Sequence, residues 1–216
     1  MSCLRYARGV RVCAGRHVKR YLMKEATNIE EKLIESFREL AMKEPVEKIT
    51  IREIADGAGV IRTTFYYHFQ DKYELIERII KQNLVDPIAQ LCEERRIDEA
   101  LLILFRQLDA DRIFYKRLAK MEGQNSFEEI LKMYISDVLE EMIQKIINEG
   151  SEQLTRNYEW LTPKLVADYY AWAVTYALIA FLNTSPPAKP EEAAEVFNFT
   201  MRHSLSEAVR AWYLGS

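Results

Sequence analysis

Glycine and proline are scarce in this chain, 7 and 6 among 216 residues. A β architecture of short strands needs frequent turns, so the shortage favours helices. Cysteine is scarcer still: Cys3, Cys13 and Cys92 are scattered and odd in number. That excludes a disulfide framework and points to free thiols in a reducing cytoplasm. Apolar runs such as Tyr176–Leu182 fall far short of the roughly 20 residues a bilayer crossing requires, so no membrane partner is expected. His17, His68 and His203 lie far apart, and no His/Cys group has metal-site spacing. Without a Gly-rich phosphate loop or a nucleophile elbow either, the chain reads as a non-enzyme with no metal and no cofactor. At 49% hydrophobic and 29% charged it is neither collagenous nor disordered by composition. Its length, at roughly 150 residues per domain, allows one large domain or two smaller ones with a core that needs no covalent staples.

Charge is present but unevenly spread. The net value is −3, yet Met1–Lys24 holds Arg5, Arg8, Arg11, Arg16, Lys19, Arg20 and Lys24 with no acid. Residues 25–86 carry nine basic and thirteen acidic side chains, and residues 87–216 carry 14 and 20. A mildly acidic protein still binds DNA where a local patch sets the field, but gross charge cannot supply the affinity. Residues 1–24 form a basic extension. They lack the continuous apolar stretch of a secretory signal, and three readings stay open: a translated leader upstream of Met23, a flexible basic arm that touches DNA, or a targeting peptide.

Helical periodicity begins at Ile29, with Leu33, Phe37, Leu40 and Ala41 completing one face before Glu44-Pro45 stops it. Thr50-Ile51-Arg52-Glu53 has the spacing of a capping box, opening a two-turn helix with Ile51, Ile54, Ala55 and Ala58 inside. Gly57-Ala58-Gly59 interrupts it, and Gly59 suits the left-handed conformation of a tight helix-to-helix turn. The next short helix buries Phe65 and Phe69 and displays Arg62, Thr63, Thr64, Tyr66, Tyr67 and His68. Asp71-Lys72-Tyr73-Glu74 is a second capping box, opening a helix towards Leu84. Longer helices are expected near 87–94, 98–108, 111–121, 126–148, 162–183 and 190–214, with Ser185–Pro190 as a connector. The fold class is all-α: a helix-turn-helix head over 25–84 and a helical body over 85–216.

Two short helices joined by a Gly-containing turn, the second offering basic, hydroxyl and phenolic groups, match what reads a DNA major groove. The stretch T-I-R-E-I-A-D-G-A-G-V-I-R-T-T-F-Y-Y-H-F-Q-D-K-Y-E-L, Thr50 to Leu75, resembles the DNA-binding motif of the TetR family of transcriptional regulators. Ile54-Ala55, Ala58-Gly59-Val60, Phe65-Tyr66, His68-Phe69 and Lys72-x-x-Leu75 all stand at the family's spacing. With the first helix the likeness covers about a quarter of the chain. Phe114-Tyr115 and Gly123-Gln124-Asn125-Ser126-Phe127 resemble the C-terminal domain of regulators of the dihydroxyacetone kinase type.

The resemblance implies that Arg52, Arg62, Thr63 and Tyr67 approach bases, and that Thr50, Thr64, Tyr66, His68 and Lys72 contact phosphates. Arg62 is the strongest candidate for direct readout, since a guanidinium grips guanine O6 and N7 together for about 1–3 kcal/mol of discrimination. Simpler readings stand beside these: Tyr66 as packing with its hydroxyl outward, His68 as an intramolecular donor, Arg52 as the partner of Glu53 or Asp56. One departure is Ile61, where the family usually has serine or another capping residue. Isoleucine accepts no backbone hydrogen bond, which costs the recognition helix about 0.5–2 kcal/mol, offset in part by a Val60–Phe65 staple or a bound phosphate.

The family further implies a homodimer on a palindromic double-stranded DNA operator and a small-molecule effector, with repression as the usual mode. Leu165, Tyr169, Trp172, Tyr176, Ile179 and Leu182, with Ala194, Phe197, Met201, Leu205, Ala208 and Trp212, form two stripes at helical spacing. They are either a four-helix dimer seam or intramolecular core. Effector-pocket candidates are Phe105, Phe114, Tyr115, Gln124, Tyr134, Tyr170 and Trp172; ordinary core, and a loop for Gln124, are the alternatives. The rival function is a helical protein-interaction module without DNA binding.

Overall fold

The computed structural model describes residues 16–123, 125–149 and 160–211, with side chains from Asn28 onward other than Leu205. All regular elements among them are helical, as the composition predicts. Contacts group Met1–Glu44 with Lys48–Lys72 as one compact unit, and Pro45–Glu47 with Tyr73–Ser216 as another.

The first unit contains α1 (Arg16–Ala41), α2 (Ile51–Gly57) and α3 (Arg62–His68). Helix α1 starts well before the periodicity at Ile29, because a helix needs no apolar stripe to continue through residues of good propensity. Residues 16–24 of the basic extension thus belong to α1, and residues 1–15 lie outside the described residues. Leu33, Phe37 and Ala41 form its fully buried face. Helix α2 lies against α1 and contributes buried Ile54 and Ala55, while Phe65 and Phe69 are also buried.

Two glycines are needed here. At Gly59, φ is +69°, and its N–H reaches Asp56 O at 3.1 Å while Val60 N–H reaches Ala55 O at 2.9 Å. This is a Schellman ending, and it satisfies α2's last carbonyls as it turns the chain. Gly57 allows close approach: a Cβ there would stand 2.3 Å from Ser36 Oγ, which is buried and donates to Ile54 O at 2.8 Å. Gly57→Ala therefore forces Ser36 to abandon that bond. We expect the substitution to be about 1–2 kcal/mol more favourable in a Ser36→Ala background than in the parent. Urea titrations of the four proteins measure it; additive effects would show that the approach is not tight.

The second unit takes in α4 (Lys72–Ile80), whose Lys72 belongs to the first, then α5 (Asp86–Glu93), α6 (Ile97–Ala110), α7 (Arg112–Leu118), α8 (Phe127–Glu149), α9 (Pro163–Asn183), α10 (Pro190–Arg202) and α11 (Leu205–Val209). Helix α4 starts directly after Asp71, where the second capping box places it. It runs through a π turn at Lys81–Val85 into α5, so α4 groups with the body although the sequence boundary falls after Leu84. Pro87 explains the π turn: it has no N–H for the ladder, and the widened turn, with Asp86 N–H on Lys81 O, accommodates the ring. Between α5 and α6, Arg95 takes φ 60° in a second Schellman ending, with Arg96 N–H on Leu91 O at 2.8 Å.

The expected 111–121 helix is shorter, ending at Leu118, and the 126–148 and 162–183 helices appear within a residue or so of their predicted limits. Thr162 caps α9 through Leu165 N–H at 3.1 Å. The single helix expected over 190–214 is instead two. His203 stacks on Phe199 at 3.9 Å, and Ser204 and Glu207 make a capping box that starts α11. The S-x-x-E spacing of Ser204 and Glu207 is the local signal for this break.

Helix α9 packs on α8, α6 and α7. Ser136 Oγ donates to Asp168 Oδ1 at 2.5 Å and accepts from Lys164 Nζ at 2.7 Å, tying α8 to α9. Short apolar runs understate α9: as a 21-residue helix it is, among the described residues, long and apolar enough to cross a membrane by composition alone. It buries Ala167, Ala171, Val174, Leu178, Phe181 and Leu182 within the body, and its start carries a Lys164–Asp168 pair at 3.0 Å.

Candidate nucleic-acid interface

The expected capping box is present at α2. Glu53 N–H donates to Thr50 Oγ1 at 3.3 Å, and Thr50 N–H donates to Glu53 Oε2 at 2.9 Å. The Thr50 hydroxyl also donates to that carboxylate at 2.7 Å. These bonds hold the Glu53 carboxyl below its usual 4.5. Their contribution is in place above that pH and is lost as pH falls through the lowered value. Arg52 stands exposed one turn before Asp56, its Nε 3.6 Å from Oδ2, a pairing too weak to keep it from a phosphate or base.

Helix α3 is anchored by Phe65 and Phe69, whose rings lie 5.7 Å apart. Its opposite side exposes Arg62, Thr63, Tyr66 and Tyr67, with Thr64 and His68 half-buried. Tyr66 does two things: its ring meets Phe65 edge-on at 5.8 Å, and its hydroxyl accepts from Arg62 Nη2 at 3.5 Å. His68 meets the Tyr67 ring edge-on at 5.3 Å. Lys72 is more committed than the sequence suggested, since its half-buried ammonium donates to Ile49 O at 3.0 Å. That bond holds it beside the residue preceding Thr50.

Ile61 is the N-cap of α3 and makes no side-chain capping bond. Without that acceptor the start of the turn relies on backbone bonds to Ile61 O, from Thr64 N–H at 2.8 Å and Phe65 N–H at 3.4 Å. We expect amide hydrogens over Arg62–Phe65 to exchange readily in the free protein and to slow on binding DNA. Strong protection without DNA would contradict this.

Of the pocket candidates in the body, Phe114 and Tyr115 meet edge-on, their rings 5.4 Å apart. Phe105, Phe114 and Tyr115 are core, each 1% exposed, with Phe105 edge-on to Phe181 at 5.0 Å and Tyr115 5.9 Å from Phe127. Tyr134 is half-buried, Tyr170 and Trp172 are exposed, and Gln124 lies outside the described residues. A small apolar cavity of about 30 Å³ lies between α5, α6, α8 and α9, lined by residues such as Ile88, Cys92, Leu101, Leu104, Val138 and Val174. Aromatic rings fill space, and gaps form where smaller aliphatic side chains leave it, a difference periodicity does not reveal. Burial pushes the Cys92 thiol up to about 11, so it is a neutral, unreactive wall.

The proposed seam divides too. Leu165, Tyr169, Trp172 and Tyr176 are exposed along one face of α9, at 44%, 70%, 50% and 74%. Ile179 is half-buried and Leu182 buried. Phe197 and Met201 on α10 are half-buried, while Ala194 and Ala208 are buried. The side chain of Leu205 and the whole of Trp212 lie outside what is described.

An all-helical chain that presents such a face beside a capped bracing helix defines a helix-turn-helix regulator. Residues 33–79 match the family described as bacterial regulatory proteins, tetR family. Residues 95–203 match the transcriptional regulator C-terminal region. The chain belongs to the TetR family of transcriptional regulators, which are DNA-binding proteins and not enzymes. The HTH-type dhaKLM operon transcriptional activator DhaS of Lactococcus lactis is 23% identical over 70% of this chain and 78% of its own. A solved DhaS structure superposes with TM-score 0.55 at 18% identity, covering 81% of this chain and 94% of that one. The uncharacterized HTH-type transcriptional regulator YvdT of Bacillus subtilis is 26% identical over 66% of this chain and 79% of its own. Thermus thermophilus FadR, a repressor solved with lauroyl-CoA, gives TM-score 0.56 at 14% identity over 82% of this chain and 94% of its own.

Proposed function

We propose that this protein is a cytoplasmic, ligand-responsive repressor that binds a palindromic operator as a homodimer. The observation that carries the reading is the polar, exposed side of α3, held outward by buried Phe65 and Phe69. Thr50, Arg52, Thr64, Tyr66, His68 and Lys72 position the head on the backbone, and Arg62, Thr63 and Tyr67 read bases. One head reads one half-site, so the exposed α9 face joins two copies, and C2 symmetry sets half-sites about one helical turn, or a multiple, apart. The part of an effector that reaches the cavity between α5, α6, α8 and α9 is apolar, because the cavity's named walls carry no charge. Effector binding shifts the population towards an arrangement of the two heads that no longer fits both grooves. FadR's lauroyl-CoA makes acyl compounds a first class to screen.

Selection of bound duplexes from a random pool, followed by salt titration, tests the reading. A regulator retains a defined palindrome with affinity falling steeply as salt rises. A chain that enriches no sequence is the interaction module instead. Arg62→Ala is expected to relax preference at one base pair, and equal losses on all sequences would contradict its role.

A further inference from the structure

Ile61 is 72% exposed, more than any other large aliphatic side chain among the described residues. It stands at the start of α3, where it also leaves the helix without a side-chain cap. Isoleucine at this position therefore exposes apolar surface to water and forfeits a capping bond, two unfavourable terms at one residue. Arg62 and Thr63, both exposed in the first turn, belong to the N-terminal end of the recognition helix, the end that meets base edges. In the major groove the edges of A, G and C offer donors and acceptors, and thymine alone among the four bases adds a methyl group.

We infer that Ile61 is a specificity residue that packs on the C5-methyl of a thymine next to the base pair read by Arg62. The inference rests on the DNA-binding reading above and adds a contact to it. Serine at this position would cap the helix and have no preference for a methyl group; isoleucine gives up the cap and gains that preference. The recognition surface then has two elements side by side, a guanidinium for a guanine edge and a branched aliphatic group for a methyl.

The test uses the full-length protein and the duplex it selects. Each thymine in a half-site is replaced in turn by deoxyuridine, which removes the methyl and leaves every hydrogen-bonding group. For the parent protein, one thymine within two base pairs of the Arg62-dependent pair should show roughly three- to tenfold weaker binding when demethylated, the scale of one buried methyl. Ile61→Ser should bind the thymine and deoxyuridine duplexes equally, and Ile61→Val should keep part of the difference. Circular dichroism and gel filtration of Ile61→Ser check that its head is folded; the side chain is exposed and serine is a better cap, so it should be. A bound operator with a flat deoxyuridine scan, or with no thymine in that window, overturns the inference alone. So does a methyl preference that survives in Ile61→Ser. A protein that selects no duplex overturns the DNA-binding reading and this contact with it.

Discussion

Replacing Tyr169 and Tyr176 together by glutamate should leave a folded chain that sediments at the mass of one 25.4 kDa protomer. Both rings stand on the open face of α9, 70% and 74% exposed, so neither contributes much to the bundle's own core. Glutamate is a good helix former, and the helix itself should persist. Across a symmetric interface, however, four introduced carboxylates, two from each copy, would be buried in one seam. Burying such charges unpaired costs far more than the ring contacts return. Operator affinity should fall by about 100-fold or more, since two linked heads bind as one unit and single heads do not. Equilibrium sedimentation and gel shift read the two effects separately. A variant that remains dimeric would place the interface elsewhere.

Arg112→Ala, at the first residue of α7, should destabilise the body markedly. The side chain is 15% exposed and its guanidinium, with Asp109 as ion-pair partner at 2.8 Å, lies over the Phe181 ring, 4.1 Å from the centroid. It donates to Phe181 O and Ala188 O, each at 3.0 Å. One side chain thus fastens the start of α7 to the end of α9 and to the connector before α10. Loss of these charge-assisted bonds and the ring contact should cost about 2–4 kcal/mol. For a protein of this size that is roughly 5–15 °C in melting temperature. Lysine should recover only part of the loss, because an ammonium does not reproduce the planar fork. A fall below about 1 kcal/mol in urea unfolding would show that the connector holds without it.

The head was legible because its signals are local. The Thr50–Glu53 box, the left-handed Gly59 and the Phe65/Phe69 pair each specify their conformation within a few residues, and the structure realises all three. The missing cap at Ile61 was equally readable. Arg112 shows the opposite case: its carbonyl partners lie some seventy residues on, and nothing in the sequence around it announces them. Lys72 is similar, since its bond to Ile49 O crosses from one helix start to the segment before another. The break at Ser204 was local and readable, but a continuous apolar spacing masked it.

What the sequence determined alone is the all-helical class, the caps and turns of the head, and which residues of α3 are polar. Tertiary packing decided which apolar residues are covered. Periodicity marks a helix's apolar positions but cannot distinguish a face that meets α8 from one that meets nothing, and on α9 both faces are apolar. Only the packed structure buries Val174 and Leu178 while leaving Tyr169 and Tyr176 in water. For the same reason the cavity could not be read from residue types, because a void is set by the side chains that fail to fill a space between four helices.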